Sequence, residues 1–500
     1  MSQIAVLDVG KTNKKLLVFD ERLAIVDEAY TSIEADESGE LAVERVDATT
    51  EWFLGQLEAM ASKHEIGAVS VTTHGATWVG VGADGSPALP VIAYTNEPGE
   101  AFARRFYERV GDPVELHRKY ATGNFGALVN LAKGIAFGQE RFPEEFARVV
   151  AVMTFPGYFS FVLTGKRGVE CTYAGCHSYL LDFAAMAWSP VVDALGIRAL
   201  LPAAIARPGD VLGPLSSAVA ERTGLSREVV VTHGIHDSNA SLLPYLIRHD
   251  DPFVLNSTGT WCVAMCPAET AAMSDRDIET GVFCNCDAFG HPARTGIFMG
   301  GAEWETWGEA IQKVTGTEGI PAYDPAVYQQ VLDAADTFIF PGVVPGTGPF
   351  PRSTSRLWER GTCYSLEDIK AGKAKPECFA DATRAYAVLN CGVAVQSREQ
   401  LVGVGLQDGM PIYVEGGFRK NLDYQALLAA FFPSSAIVLT DMKEATAFGS
   451  ALLGLAAMTG RALEDLGDVF EIVGEPAGVA TLAGVEAYRQ AYIERVEAGV

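Results

Sequence analysis

A strand, a small polar loop and a second strand occur in the same order twice in this chain, about half its length apart, and the recurrence constrains the fold more than any other feature. The first copy, Ile4 to Asp20, reads IAVLDVGKTNKKLLVFD. Its apolar runs, Ile4 to Val9 and Leu16 to Phe19, flank the loop Gly10-Lys11-Thr12-Asn13-Lys14. Bulky and β-branched residues on either side of a glycine-led bend predict a β-hairpin. The second copy, PFVLNSTGTW from Pro252 to Trp261, passes through Ser257-Thr258-Gly259-Thr260 into a further apolar strand, Cys262 to Met265. One such unit opening each half predicts a duplicated α/β fold able to grip a phosphate chain between its halves.

Within the first copy a single carboxylate, Asp8, interrupts the apolar run. A buried strand-end carboxylate is costly unless it is hydrogen-bonded or faces a cation, so its place before a Gly/Lys/Thr/Asn loop suggests a phosphate and metal site. Capping of its own turn is the competing reading. The 500 residues exceed one hydrophobic core and predict two large domains. Apolar runs are short and no basic, apolar leader opens the chain, so a cytoplasmic protein without membrane spans is expected. Nine cysteines without a Cys-x-x-Cys pair predict reduced thiols packed as small hydrophobes rather than a zinc framework. A net charge of −25 disfavours nucleic acid and anionic membrane as partners.

Further along, Leu23 to Tyr30 predicts a third strand in a meander, Thr49 to Lys63 a helix, and Ile66 to Thr72 a strand running into Thr73-His74-Gly75-Ala76-Thr77-Trp78. A His-Gly pair there belongs at the carboxyl edge of a sheet, where α/β proteins place ligands. Pro90 to Pro98 predicts another strand whose polar Tyr94, Asn96 and Glu97 could share a pocket with His74. Arg104 to Glu145 has a helical pattern, and Phe155 to Gly165 an aromatic helix ended by glycine. Glu228 to Thr232 predicts a strand leading to Gly234-Ile235-His236-Asp237, where Asp237 is a helix cap or a functional carboxylate. Thr295 to Met299 ends in Gly300-Gly301, Phe338 to Pro351 reads as a loop, and Arg384 to Gln396 as a helix. Pro411 to Val414 leads into Gly416-Gly417-Phe418-Arg419-Lys420-Asn421, a glycine pair that lets a planar ring approach the backbone. Ala436 to Leu439 predicts a strand, and Glu444 to Met458 a helix whose small residues suit close packing.

As an ordered set, Asp8-Val9-Gly10-Lys11-Thr12, His74-Gly75-Ala76-Thr77, Gly234-Ile235-His236-Asp237, Ser257-Thr258-Gly259-Thr260-Trp261 and Gly416 to Asn421 resemble the FGGY family of carbohydrate kinases. The resemblance implies two ribonuclease-H-like domains of the actin, hexokinase and Hsp70 superfamily around a central cleft, residues 1–245 on the sugar and phosphate side and 246–500 on the nucleotide side. It implies ATP and Mg2+ as cofactors, with Asp8 at the metal. Gly10, Thr12, Asn13, Ser257, Thr258, Gly259 and Thr260 would meet phosphates, and Gly301, Gly416, Gly417 and Asn421 the nucleotide; Lys11, where a small residue is more usual, either adds a phosphate contact or reaches solvent. Asp237 matches the catalytic base, with Thr73, His74, Trp78, Asn96, His236 and Asp237 at the sugar. Such a base fits a loose phosphoryl-transfer transition state, in which the enzyme mainly positions an alcohol and spreads charge.

Two runs depart from the xylulose kinases of that family. Their Gln-Met-His-Gly and Trp-Asn-Asp-x-Arg correspond here to Thr72-Thr73-His74-Gly75 and Tyr94-Thr95-Asn96-Glu97-Pro98. Losing the aspartate and arginine removes partners for sugar hydroxyls and points toward a less hydroxylated ketose, such as the 6-deoxyketohexoses L-fuculose or L-rhamnulose. Ketopentoses and polyols stay open, as does a homodimer. A nucleotide-driven chaperone and a non-catalytic sugar sensor are the readings of another class.

Overall fold

The computed structural model describes residues 2–478 and 482–499. Gln3–Val9 and Asn13–Phe19 form the expected hairpin, Ile4 opposite Phe19 and Val9 opposite Lys14. Ile25–Ser32 extends it antiparallel, and its alternating half-buried residues suit an edge strand with one wet face. On the other side Gln3–Val9 pairs in parallel with Ile66–Thr73, which pairs in parallel with Val230–Thr232 and with the short Ile235–His236. The two central strands are buried almost throughout, as parallel strands covered on both faces must be.

The second half repeats this plan. Pro292–Phe298, Cys262–Pro267, Val254–Thr258, Ile412–Gly416 and Ile437–Thr440 lie side by side, joined in turn by antiparallel, antiparallel, parallel and parallel ladders. Those are the senses of the first sheet in the same order, and each sheet ends in an antiparallel strand, Val211–Pro214 in one and Gly474–Pro476 in the other. The recurrence in the sequence is therefore a duplicated fold.

Two helices join the sheets. Asp237–Arg248 leaves the first sheet, and its Leu242 and Tyr245 pack with Phe253, Leu255 and Tyr413 of the second. Ala445–Thr459, from the second half, crosses back onto the first sheet in a cluster with Ile4, Val6, Leu17 and Ala240. Its small residues permit this approach: a Cβ on Gly449 would overlap the Ala240 carbonyl, and one on Gly454 would overlap Ile4. Buried hydroxyls pin the same helix, with Ser450 Oγ 2.8 Å from Ser70 Oγ and that oxygen 2.9 Å from Thr232 Oγ1.

Three expectations need correction. Pro90 to Pro98 is a turn-rich connection with one bridge, Ile92 to Val43, because the Asn96 amide holds Ala42 and Ala93 and bends the chain. The helical pattern from Arg104 to Glu145 is split, since Asp112 caps a new helix with Pro113 in its first turn and Ala121 turns left-handed at that helix's end. The start of Phe338 to Pro351, read as loop, instead belongs to the strand Thr337–Phe340, paired with Arg356–Glu359. Eight of the nine cysteines are buried and all are free, and among the described residues no helix is long and apolar enough to cross a membrane.

Candidate active site

Parallel register brings three chemistry-bearing segments to one sheet edge. Val9 lies opposite Thr73, and Thr73 opposite His236, so Asp8, His74 and Asp237 converge there although they are far apart in the chain. The Asp8 carboxylate is buried, accepts a hydrogen bond from Thr446 Oγ1 at 2.7 Å, and lies 3.8 Å from Lys15 Nζ. Burial pushes its pKa up to about 6, with Lys15 and Thr446 opposing and the charge of Asp237 adding to the rise. Its printed contacts all fall on Oδ2, and Oδ1 has no protein partner among the described residues.

Asp237 is the first residue of its helix, and that helix has no side-chain cap, so the carboxylate is not spent as one. Oδ1 accepts the Ser238 N–H at 2.6 Å and lies 3.2 Å from His236 Nε2. Burial raises its pKa, with His74 and Ser238 opposing, which makes it a stronger proton acceptor than a solvated aspartate. His74 must carry its proton on Nδ1, because that nitrogen lies 2.9 Å from the Gly75 carbonyl, which can only accept. Its Nε2 is a buried acceptor with no protein donor among the described residues. Burial lowers its pKa and keeps the ring neutral. A buried lone pair without a donor is what a ligand hydroxyl would satisfy. Tyr94 and Phe155 enclose the ring, with centroids at 5.6 and 5.1 Å.

Four residues assigned from the sequence are engaged elsewhere. Lys11 Nζ lies 2.5 Å from Glu44 Oε1 and over the Tyr94 ring, so its charge is committed to a neighbouring carboxylate. The Asn96 amide is consumed by Ala42 and Ala93. Trp78 is a core residue against Phe146, Gly134 and Gly138. Thr73 is fully buried and donates to the His74 carbonyl. Thr12 and Asn13 are exposed at the hairpin loop, and their side chains make no hydrogen bond among the described residues.

Lys14 was not singled out by sequence reasoning. It is only 2% exposed, and its ammonium donates to the carbonyls of Gly10, Lys11 and Thr12 at 3.0, 2.9 and 3.3 Å. In a trans peptide the N–H points opposite to the carbonyl, so the N–H groups of Lys11, Thr12 and Asn13 are turned away from the lysine. The buried cation thus orders the loop as a set of outward donors, a nest suited to anions. Its only sequence signal is a lysine whose register, opposite Val9, faces the sheet interior.

On the second sheet a cavity of about 460 Å3 is lined by Gly259, Gly301, Trp304, Tyr323, Gly417 and Asn421 among others, which unites the glycine loops assigned from the sequence. Gly416 has φ 81°, and a Cβ there would overlap the Thr258 carbonyl; one on Gly301 would overlap the Gly259 carbonyl. No larger residue fits either crossing. Thr258 braces this wall rather than facing it, since its buried hydroxyl donates to the Glu415 carbonyl and accepts the Phe418 N–H. Asn421 caps Leu422–Phe431 and donates to Asn390 Oδ1 at 3.1 Å. Ser257 is half-buried and Thr260 exposed at the loop tip.

Comparison with known proteins identifies the family. Residues 3–244 match the N-terminal domain model of the FGGY family of carbohydrate kinases, and residues 250–463 match the FGGY carbohydrate kinase C-terminal domain. A rhamnulokinase of Enterococcus faecalis is 32% identical over 124 residues, 24% of this chain and 25% of its own length. One from Halalkalibacterium halodurans is 28% identical over 123 residues, 25% of this chain and 26% of its own. The chain thus spans about a quarter of the length of the curated relatives it matches. A carbohydrate kinase structure from Novosphingobium aromaticivorans superposes with TM-score 0.80 at 26% identity, covering 100% of this chain and 99% of the other. A ligand-bound xylulose kinase from Lactobacillus acidophilus, 16% identical with TM-score 0.79 over 100% and 98% of the two chains, shares the fold. The two family models match in order and together cover most of the chain: the chain belongs to the FGGY family of carbohydrate kinases.

Proposed function

We propose that the protein transfers the γ-phosphoryl group of ATP to a hydroxyl of a ketose. The observation that carries this reading is the meeting of Asp8, His74 and Asp237 at one sheet edge. The residues fit ATP and Mg2+: the cavity walled by Gly301, Gly417 and Asn421 suits an adenosine, the loop ordered by Lys14 suits phosphates, and the Oδ1 of Asp8, opposite the oxygen held by Thr446 and Lys15, suits a cation. When bound, ATP supplies the phosphoryl group and Mg2+ offsets phosphate charge.

The protein's own part is positioning and proton acceptance. His74 Nε2 accepts a hydrogen bond from a sugar hydroxyl and so orients the ring. Asp237, half-buried and held by Ser238, takes the proton of the attacking hydroxyl. The N–H groups of the Gly10 to Asn13 loop stabilise phosphate oxygens without reorganising, which is where most of the rate gain arises in such chemistry.

For the substrate we infer a 6-deoxyketohexose such as L-rhamnulose or L-fuculose. Supporting it are the rhamnulokinase names of the partial relatives, the missing aspartate and arginine after Tyr94, and the aromatic walls Tyr94 and Phe155 around His74, which suit a methyl group. A coupled kinase assay across deoxyketoses, ketopentoses and polyols tests it. The highest kcat/KM on a 6-deoxyketohexose is expected; a higher value on D-xylulose or glycerol would overturn the assignment.

A further inference from the structure

Behind Gly75 lies a cluster whose cysteine and second histidine have no part in the transfer, while its third member, His236, is also expected at the sugar. Buried Cys176 and half-buried His177 are adjacent in the turn after Cys171–Ala174, and His236 reaches them from the first sheet's edge. The ligand atoms of the three lie within 4.8 Å of one another, with Cys176 Sγ 3.3 Å from His236 Nε2. A tetrahedral zinc ion, with Zn–S of about 2.3 Å and Zn–N of about 2.0 Å, needs donor separations of roughly 3.3–3.6 Å. Small ring movements therefore close the set. The space is kept by a glycine: a Cβ on Gly75 would sit 2.8 Å from His236 Nε2 and 3.0 Å from His177 Nε2.

We propose that Cys176 Sγ, His177 Nε2 and His236 Nε2 form a zinc site that switches the enzyme off. The outer partners suit it. His177 Nδ1 lies 3.0 Å from the Val129 carbonyl, so that nitrogen carries the proton and Nε2 presents its lone pair, the arrangement common among metal-bound histidines. His236 Nδ1 is 3.1 Å from the Asn239 amide, whose Oδ1 has no partner among the described residues; the amide turned end for end accepts Nδ1–H and frees Nε2 for the metal. On binding, the Cys176 S–H bond breaks, a Zn–S bond forms and one proton leaves to solvent, with no change of oxidation state. The resulting single positive charge of Zn2+ and thiolate stands beside the Asp237 carboxylate.

That placement makes the site inhibitory, a consequence that rests on the assignment of Asp237 as base. His236 Nε2, the atom the metal takes, is the one that lies 3.2 Å from Asp237 Oδ1. A metal on that nitrogen takes the ring's contact away from Asp237 and occupies the space before Gly75.

Chelator-treated full-length protein, titrated with zinc chloride against a chromophoric chelator, tests the proposal. One zinc per chain is expected, and cobalt(II) in its place should give thiolate charge-transfer absorption. Cys176→Ala, and His177→Asn at a position whose φ is 35°, should each weaken zinc binding by more than about 100-fold, beyond the 10–100-fold that outer partners cost. Cys176→Ala should keep its zinc-free transfer rate and lose zinc inhibition. Cys176→Ser provides a second variant if circular dichroism shows the alanine protein unfolded. Absence of stoichiometric zinc, or equal zinc inhibition in parent and Cys176→Ala, overturns the site. Stoichiometric zinc in a protein that phosphorylates no sugar supports the site, and overturns the switch and the kinase reading with it.

Discussion

Replacing Lys14 by methionine probes the anion loop, because it keeps the buried stem and deletes the charge that gathers three carbonyls. Hydrogen bonds to a charged group contribute about 1.5–3 kcal/mol each. The three carbonyls, on half-buried Gly10 and Lys11 and exposed Thr12, regain water when the lysine goes, and desolvation of the ammonium is relieved. The net loss of loop order is then about one such bond, ~2 kcal/mol. Because the loop must be re-ordered on binding, this cost falls on the nucleotide and corresponds to about 30-fold weaker binding. Isothermal titration with a non-hydrolysable ATP analogue measures it, with circular dichroism as a check on folding. Ketose binding in the absence of nucleotide should be unchanged. Nucleotide affinity equal to the parent's in a folded Lys14→Met protein would refute the idea that Lys14 organises the loop.

Three further outcomes are expected. Asp8 has a pKa near 6, so acid protonates it as the pH falls through that value and removes its charge from the cation. Apparent Mg2+ affinity should drop about tenfold from pH 7 to pH 5 and stay nearly flat above 7; an acid limb that survives in Asp8→Asn would assign it to another group. His74→Ala should raise the ketose KM more than the ATP KM, and the reverse pattern would put His74 outside the sugar pocket. Gly449→Ala forces a methyl against the Ala240 carbonyl and should cost about 1–3 kcal/mol in denaturant unfolding, whereas no loss would mean the helices separate freely.

The duplicated architecture was legible because alternation and apolar runs report strands, and because two hairpin loops of similar composition open the two halves. The glycines at 301 and 416 were legible for a related reason: close backbone crossings admit only that residue. Side-chain direction was not. Lys11 and Lys14 are both lysines in one polar loop, and only register separates them, Lys14 turning inward opposite Val9 while Lys11 reaches Glu44. Asn96 and Trp78 neighbour the motif in sequence, yet the turn at Tyr94 and the core around Phe146 take both side chains away from the pocket. Thr446 and the Cys176–His177 pair reach the site only through long-range packing, which local spacing does not encode.

The central claim is that Asp237 accepts a proton from a sugar hydroxyl as phosphate moves to it. Incubating the protein with γ-labelled ATP, Mg2+ and L-rhamnulose, and following label on the sugar, tests it against the Asp237→Asn variant. Labelled sugar phosphate from the parent, with transfer abolished in the variant while its ATP affinity is preserved, is the predicted result. Transfer at the parent's rate by Asp237→Asn would contradict it.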